Sequence, residues 1–479
     1  MITLIFTGIV GIVIITGFIL FIRNAPDFWF WLFLNFYFDP GGYIDGYLGG
    51  KLFGPLNITD VIIVGIIICT ISARINWKLI YGDHLFTKFL FFLLIFSVYY
   101  FIVYGGAVPY FHNDFDYLTF LIKNRMYAYG FIILISVYVF SLRDLKYFYT
   151  ITLSIGLICL SFYMITLLTG FELMFVWDIE RRGTGMTRLM MLGYGIFDLI
   201  FPLALTVYLL SRKISMNLEY KSWLYLGGFL MIITELLTLT RRVQIDLIGT
   251  SILIVLIISY LFRTGKLTGL IKLAIPSVLI IVILYLTLPE YGGYITKTAE
   301  DTFLLITTGE DSEGRGDERV TGTGALEVTK EYIKNNLLFG TGYTYLHWGG
   351  TRTATSPRGA TYARAADAAG EVPIYYVLFG FGIAGAILMI PLYFLMGTLF
   401  LRLIKLLKLT LMNYLEDPLT IIFSIYILLI IAQKFTYQLW GLGGDFFISN
   451  LSKTVVLTGL GFALYRKIFL NYYMQDANK

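Results

Sequence analysis

Charge is scarce in this chain. Asp, Glu, Lys and Arg together make up 14% of its 479 residues, against about 25% in soluble domains. Cysteine is scarcer still. The two present, Cys69 and Cys159, fall inside different apolar runs, which excludes a disulfide framework or a cysteine-built metal site. No basic run gathers the net charge of +5; it is spread over many short loops and implies no nucleic-acid surface. The dinucleotide-binding and Walker fingerprints are absent. The first apolar run lacks a basic flank and a small-residue cleavage site, so it reads as a retained helix and not a removable signal peptide.

What fills the chain is apolar surface: 58% of the residues are hydrophobic and 17% aromatic, with a mean hydropathy of +0.77. A bilayer core of about 30 Å needs roughly 20 apolar residues per helix, and the runs here are long and continuous where a membrane barrel would alternate. The reading is an all-α polytopic membrane protein of about twelve spans. They are placed near 2–22, 57–75, 85–104, 125–142, 149–170, 188–210, 222–240, 243–262, 269–288, 371–397, 418–440 and 451–466. The run FWFWLFLNFYF at 28–38 is too short to cross straight and reads as interfacial or re-entrant. This divides the chain into an N-terminal helical part, 1–288, an external loop, 289–370, and a C-terminal helical part, 371–479.

Lys and Arg in short loops set the expected orientation. With the N-terminus inside, inner loops and the C-terminal flank carry fifteen, among them Lys146, Arg212, Lys213, Lys221, Arg402, Lys405, Lys408 and Lys467. The short outer loops carry nine. Both termini are then cytoplasmic and the long loop external. The outer nine are unevenly placed. Arg181 and Arg182 stand together in FELMFVWDIERRGTGMTR, and Arg241 and Arg242 stand together in LTLTRRVQIDLIGT, a stretch otherwise fit for lipid. Arginines near helix ends often snorkel to lipid phosphates, and Arg242 has a helical partner in Asp246 four residues on. Two outer doublets beside a large loop are harder to assign to anchoring alone, and they predict an anionic ligand.

Within the long loop, ALEVTKEYIKNNL at 325–337 places Leu326, Thr329, Ile333 and Leu337 on one helical face. An amphipathic helix lying on the surface or capping a cavity is expected there, with plain packing as the simpler account. GTG recurs at 183–185, 322–324 and 340–342; such glycines can aim backbone N–H groups at phosphate, though the commoner role is a turn.

The order ERRGTG, TLTRR, GRGDER, YIKNNLLFGTGY and GFGIAG, over about residues 175–400, resembles the O-antigen polymerase and O-antigen ligase superfamily. That resemblance implies a glycosyltransferase of the bacterial inner membrane, working in lipopolysaccharide or related polysaccharide biosynthesis. Its members move a glycan from an undecaprenyl-pyrophosphate carrier to an acceptor sugar on the periplasmic side, with no cofactor and generally no metal. It also implies roles. Arg241 stands at the family's Ser/Thr-Arg arginine, Arg181 or Arg182 at that of the preceding outer loop, and Arg315 or Arg319 at the one opening the amphipathic segment.

The chain departs from the ligases at one position. Their histidine, counted eleven residues back from Gly382, is replaced by Glu371, which inclines the reading toward a polymerase. Glu371 or Asp367 is the candidate base, against ordinary carboxylate capping of a helix start; His347, the one histidine of the long loop, is a further candidate. Expected partners are the lipid-linked donor, a lipid-linked acceptor glycan, membrane lipids and a chain-length regulator or flippase. Two other classes compete. A transporter or lipid flippase would use polar residues inside spans, here Asp198 near the middle of its span and Glu235, Asp246 and Lys434 in outer halves. A metal-dependent transferase would use His112, Asp114 and Asp116 in YFHNDFDYL.

Overall fold

A computed structural model describes residues 84–111, 142–169, 197–214, 216–237, 241–262, 325–341, 373–413, 417–440 and 459–469, short strands at 51–53, 56–57, 176–180 and 187–191, and isolated helical positions at 19, 293, 296–297, 300 and 304. Helices build the core: α1 (His84–Phe111), α2 (Leu142–Thr169), α3 (Phe197–Leu210), α4 (Lys221–Leu237), α5 (Arg241–Leu261), α6 (Ala325–Asn335), α7 (Pro373–Asn413) and α8 (Pro418–Trp440), followed by α9 over 459–469. Strands among the described residues form only two small antiparallel hairpins, β1 (Lys51–Phe53) with β2 (Leu56–Asn57) and β3 (Val176–Glu180) with β4 (Thr187–Met191).

Three stretches are long and apolar enough to cross a membrane: His84–Val103, Phe148–Thr166 and Val377–Leu411. The first two coincide with spans expected near 85–104 and 149–170; the third overlaps the span expected near 371–397 but runs on to Leu411, so Arg402, Lys405 and Lys408, expected in a loop, lie in helix. The spans expected at 2–22, 57–75, 125–142 and 269–288, and the run at 28–38, lie essentially outside the described residues. One expectation is corrected. The span placed at 188–210 starts too early, because Thr187–Met191 pairs as a strand with Val176–Glu180 and the helix begins only at Phe197. Asp198 therefore occupies the first turn of α3 and not mid-span, a position where the helix dipole favours a carboxylate.

The centre of the bundle is α8, whose residues 419–431 are all buried. A helix that is apolar all round has to be surrounded by other helices or lipid, and α2, α3, α5 and α7 pack around this one. Its start follows from the sequence. Asp417 accepts the Thr420 amide at 3.0 Å as the helix cap, and Pro418 takes the first helical position, where no donor is lost. The Lys467 ammonium lies 3.2 Å from the same carboxylate.

Peripheral helices turn apolar side chains outward. Phe91, Leu94, Val98 and Ile102 make an exposed stripe on α1, and Ile383, Ile387, Ile390 and Phe394 make another on α7. Patches like these would drive aggregation in water and are an ordinary surface in lipid. Hydroxyls accommodate the same surroundings by bonding back along their helices: Ser97 donates to the Leu93 carbonyl, Thr166 to Phe162 and Thr234 to Leu230. Small residues set the tightest crossing. A β-carbon added to Gly228 would lie 2.5 Å from that of Ala204, so α3 and α4 approach as only small-residue seams allow.

Candidate functional site

Side-chain contacts fix which helix ends lie together. Lys146 at the start of α2 bonds Glu219 just before α4 at 2.7 Å, and Thr234 near the end of α4 lies 4.0 Å from the Met164 sulfur near the end of α2. These two helices run parallel. The intervening α3 runs against them, with Ile200 at the level of Gly227 and the Tyr208 ring 6.3 Å from that of Tyr225. A second set of contacts relates α5 to α7. Gln433 donates to the Thr250 hydroxyl, the Phe435 ring lies 6.0 Å from Tyr393, and the Lys408 ammonium lies 4.7 Å over the Tyr260 ring. Thr250 and Tyr393 thus share a level, and α5 and α7 run parallel.

From that level Arg241 is nine residues up α5 and Gly382 eleven up α7, rises of about 14 and about 17 Å at 1.5 Å per residue. One end of the bundle, the upper end, therefore gathers the last turn of α2, the first turn of α3, the α4–α5 hairpin tip, the outer part of α7 and the Phe96–Tyr100 region of α1, whose rings pack on Phe381. The β3–β4 hairpin leaves the chain between α2 and α3, so it departs from this end and returns to it. Lys146, Glu219, Tyr260, Lys408 and the Asp417–Lys467 pair occupy the opposite end.

A backbone joint marks the upper end. Helix α7 is two helices meeting at Gly382, whose φ of 61° and ψ of −168° interrupt the spiral. Such a break strands amides and carbonyls that no water in a membrane can satisfy. The chain supplies partners from the turn after α6. The amides of Ile383 and Ala384 donate to the carbonyls of Leu337 and Leu338 at 2.9 and 3.0 Å. The Thr341 amide and hydroxyl both donate to the Phe379 carbonyl, at 2.8 and 3.0 Å. The Tyr99 hydroxyl donates to the Phe381 carbonyl at 2.6 Å and lies 3.5 Å from the Phe339 carbonyl, so one oxygen of α1 touches both α7 and the segment that follows α6.

Two glycines make this approach possible. A β-carbon on Gly340, where φ is 73°, would lie 2.5 Å from the Phe381 amide nitrogen, and one on Gly382 would lie 2.5 Å from the Leu338 carbonyl group. Left-handed backbone at both positions also favours glycine. Helix α6 is held against the joint by its apolar face. Thr329 and Ile333 are buried, the Tyr332 ring lies 5.9 Å from that of Phe379, and Lys330, Glu331 and Lys334 point outward. The face expected from the sequence ends one turn early, since Leu337 lies beyond the helix and is 45% exposed.

The predicted residues attach to this end unevenly. Arg241 is the first residue of α5, with Arg242 beside it and Asp246 one turn on; the side chains of all three lie outside the described residues. Arg181 and Arg182 belong to the six-residue connection between β3 and β4, and this connection is outside them too, as are Arg315, Arg319, His347, Asp367, Glu371, His112, Asp114 and Asp116. Glu235 lies in the last turn of α4, with one carboxylate oxygen shielded from solvent. What sequence reasoning missed is the joint: GFGIAG entered it as a landmark for counting, and Tyr99 not at all. The available signal was three glycines, Gly380, Gly382 and Gly385, inside an apolar helix, where each costs about 1 kcal/mol relative to alanine unless geometry requires it. No family model matches this chain, and no curated protein does.

Proposed function

We propose that this protein is a metal-independent glycosyltransferase of the bacterial inner membrane, working at its periplasmic face and inverting the anomeric centre. The donor is an oligosaccharide on undecaprenyl pyrophosphate and the acceptor a lipid-linked glycan, so that repeat units of O-antigen or a related surface polysaccharide are polymerised. The observation that carries this reading is the gathering of the α4–α5 tip with Arg241, the base of the Arg181–Arg182 hairpin and the α6–α7 joint at one end of the bundle, opposite the lysine-rich end that the charge bias assigns to the cytoplasm. Arginine at a helix start opposes the helix dipole, an arrangement that an anion bound there would relieve.

The reaction makes specific demands. The acceptor hydroxyl oxygen bonds to the anomeric carbon as the bond from that carbon to the pyrophosphate oxygen breaks. The departing pyrophosphate keeps the electron pair, and the hydroxyl proton passes to a base, assigned to Glu371 with Asp367 or His347 as substitutes. Arg241, one of Arg181 and Arg182, and Arg315 or Arg319 hold the pyrophosphate by paired hydrogen bonds and remain charged at any working pH. The glutamate in place of the ligase histidine favours polymerisation over transfer to lipid A-core.

A transporter is the second reading, and two observations weigh against it. Secondary transporters bind at the midplane through unwound backbone; the break at Gly382 has its amides and carbonyls bonded to the chain's own Leu337–Thr341 segment, and Asp198 stands at a helix start. The test is reconstitution in vesicles with the undecaprenyl-pyrophosphate-linked oligosaccharide. Glycan lengthening and carrier release are expected, unaffected by a divalent-metal chelator. Arg241→Ala should slow them at least about 100-fold, and Arg241→Lys should also be poor because the bidentate grip is lost. Wild-type lengthening by the alanine variant rules out Arg241 as the ligand. Movement of intact donor across the bilayer without lengthening replaces the enzyme by a flippase.

A further inference from the structure

Helix α7 is not one rod. Its first part, Pro373–Phe381, is nine residues long, about 14 Å, and the break at Gly382 uncouples its direction from that of the long part below. Something else has to aim it. The groups that do so meet at the break: the Leu337–Thr341 segment, which bonds both sides of it, and the Tyr99 hydroxyl, which reaches from α1 to the Phe381 carbonyl at 2.6 Å and to the Phe339 carbonyl at 3.5 Å. The segment is equally constrained at the end of α6, where the carbonyl of Asn336, the residue after the helix, takes the Gly340 amide at 2.7 Å.

We propose that Tyr99 is a positioning residue for the transfer reaction: its hydroxyl, with the Gly340–Gly382 approach, locks the surface helix α6 to the short first part of α7. This inference rests on the glycan-transfer reading and deepens it. The short helix follows Glu371 by two residues, and α6 starts ten residues after Arg315 and six after Arg319 in sequence. The joint thereby ties the segment that takes the acceptor's proton to the segment that grips the pyrophosphate. Misplacement of one against the other by about 1 Å is enough to cost up to 100-fold in rate, whereas donor affinity rests mainly on Arg241 with Arg181 or Arg182, which belong to neither α6 nor α7.

The variant is Tyr99→Phe, which keeps the ring beside Gly385 and removes only the hydroxyl. Two readouts are taken on the full-length protein in vesicles: steady-state glycan transfer with the undecaprenyl-pyrophosphate-linked oligosaccharide, and trypsin cleavage at Lys330 and Lys334, both exposed on α6. The expected result is kcat down about 5- to 10-fold, KM for the donor changed by less than about 2-fold, and cleavage accelerated. Thr341→Val, which removes the hydroxyl bond to Phe379 and leaves the amide bond, should move the same three quantities in the same direction. Faster cleavage with unchanged kcat makes the joint merely structural and overturns the proposal, as does a variant identical to wild type in both readouts. If the unaltered protein transfers no glycan, the underlying reading fails and the positioning role falls with it. That outcome is recognisable before any variant is compared.

Discussion

Glycines in this protein divide into those the backbone requires and those it merely tolerates. Gly340 and Gly382 combine left-handed φ with backbone atoms 2.5 Å from where a β-carbon would sit. Left-handed backbone costs other residues about 1–2 kcal/mol, and neighbouring backbone cannot swing aside as a side-chain tip does. Gly397 lies in the same helix, yet its β-carbon would meet only the Phe435 ring edge at 3.7 Å, ordinary contact. Alanine at Gly340 or Gly382 should therefore destabilise by more than about 2 kcal/mol, and alanine at Gly397 should stabilise by up to about 1 kcal/mol through helix propensity. Thermal unfolding of the three variants in detergent checks the order. Equal melting temperatures would mean that the close approach at the joint is not a feature of the folded protein.

Among the elements, α8 fills the bounds that its apolar run predicts, 418–440, and its start is local chemistry, an Asp-Pro pair in which Asp417 caps the helix. The cap does double duty here. Asp417 holds the Thr420 amide and also faces Lys467, whose side chain is 10% exposed. Asp417→Asn keeps a competent cap and loses the counter-charge; Asp417→Ala loses both, and should be less stable than the Asn variant by about 1 kcal/mol. Replacing Lys467 by Met in the alanine background should recover part of the loss, since a shielded charge without a partner is what costs most. Unfolding midpoints measured at one detergent concentration decide it, and no recovery would show that the Lys467 pairing carries little of the stability.

Helix α6 was legible for a different reason: a 3.6-residue apolar period announces a buried face, and Thr329 and Ile333 fill it. The period says nothing about where the chain turns, so Leu337 was assigned to a face it leaves. Hydropathy also misplaced the start of α3, because apolar residues such as Leu189, Met190 and Met191 satisfy a strand pair as readily as a span. The joint at Gly382 was invisible for a deeper reason. Hydropathy measures side chains, and the break is made of backbone amides and carbonyls whose partners lie 38 or more residues away in sequence. The Arg241 position came from charge in an apolar context together with the resemblance; the geometry adds the helix start beneath it and the elements beside it.

At the scale of the whole molecule the bundle is polarised. Its lower end holds ordinary structural pairs, Lys146 with Glu219 and Lys467 with Asp417, whereas its upper end collects a strand hairpin, a helix tip that begins with arginine and a surface helix bonded into a broken span. A transporter needs access from both sides, and an enzyme that consumes an already exported lipid-linked glycan needs only one. The asymmetry thus predicts which product should accumulate when the protein is missing. On the proposed polymerase reading, gel separation of surface polysaccharide from a deletion strain should show single repeat units on the acceptor in place of a ladder, because export and attachment would continue while lengthening stopped. Long carrier-linked chains would instead indicate a missing ligase, and donor trapped on the cytoplasmic leaflet a missing flippase. Restoring the ladder with the unaltered gene and not with Arg241→Ala would connect the cellular defect to the upper end, because that substitution lies far from the pairs that hold the lower end together.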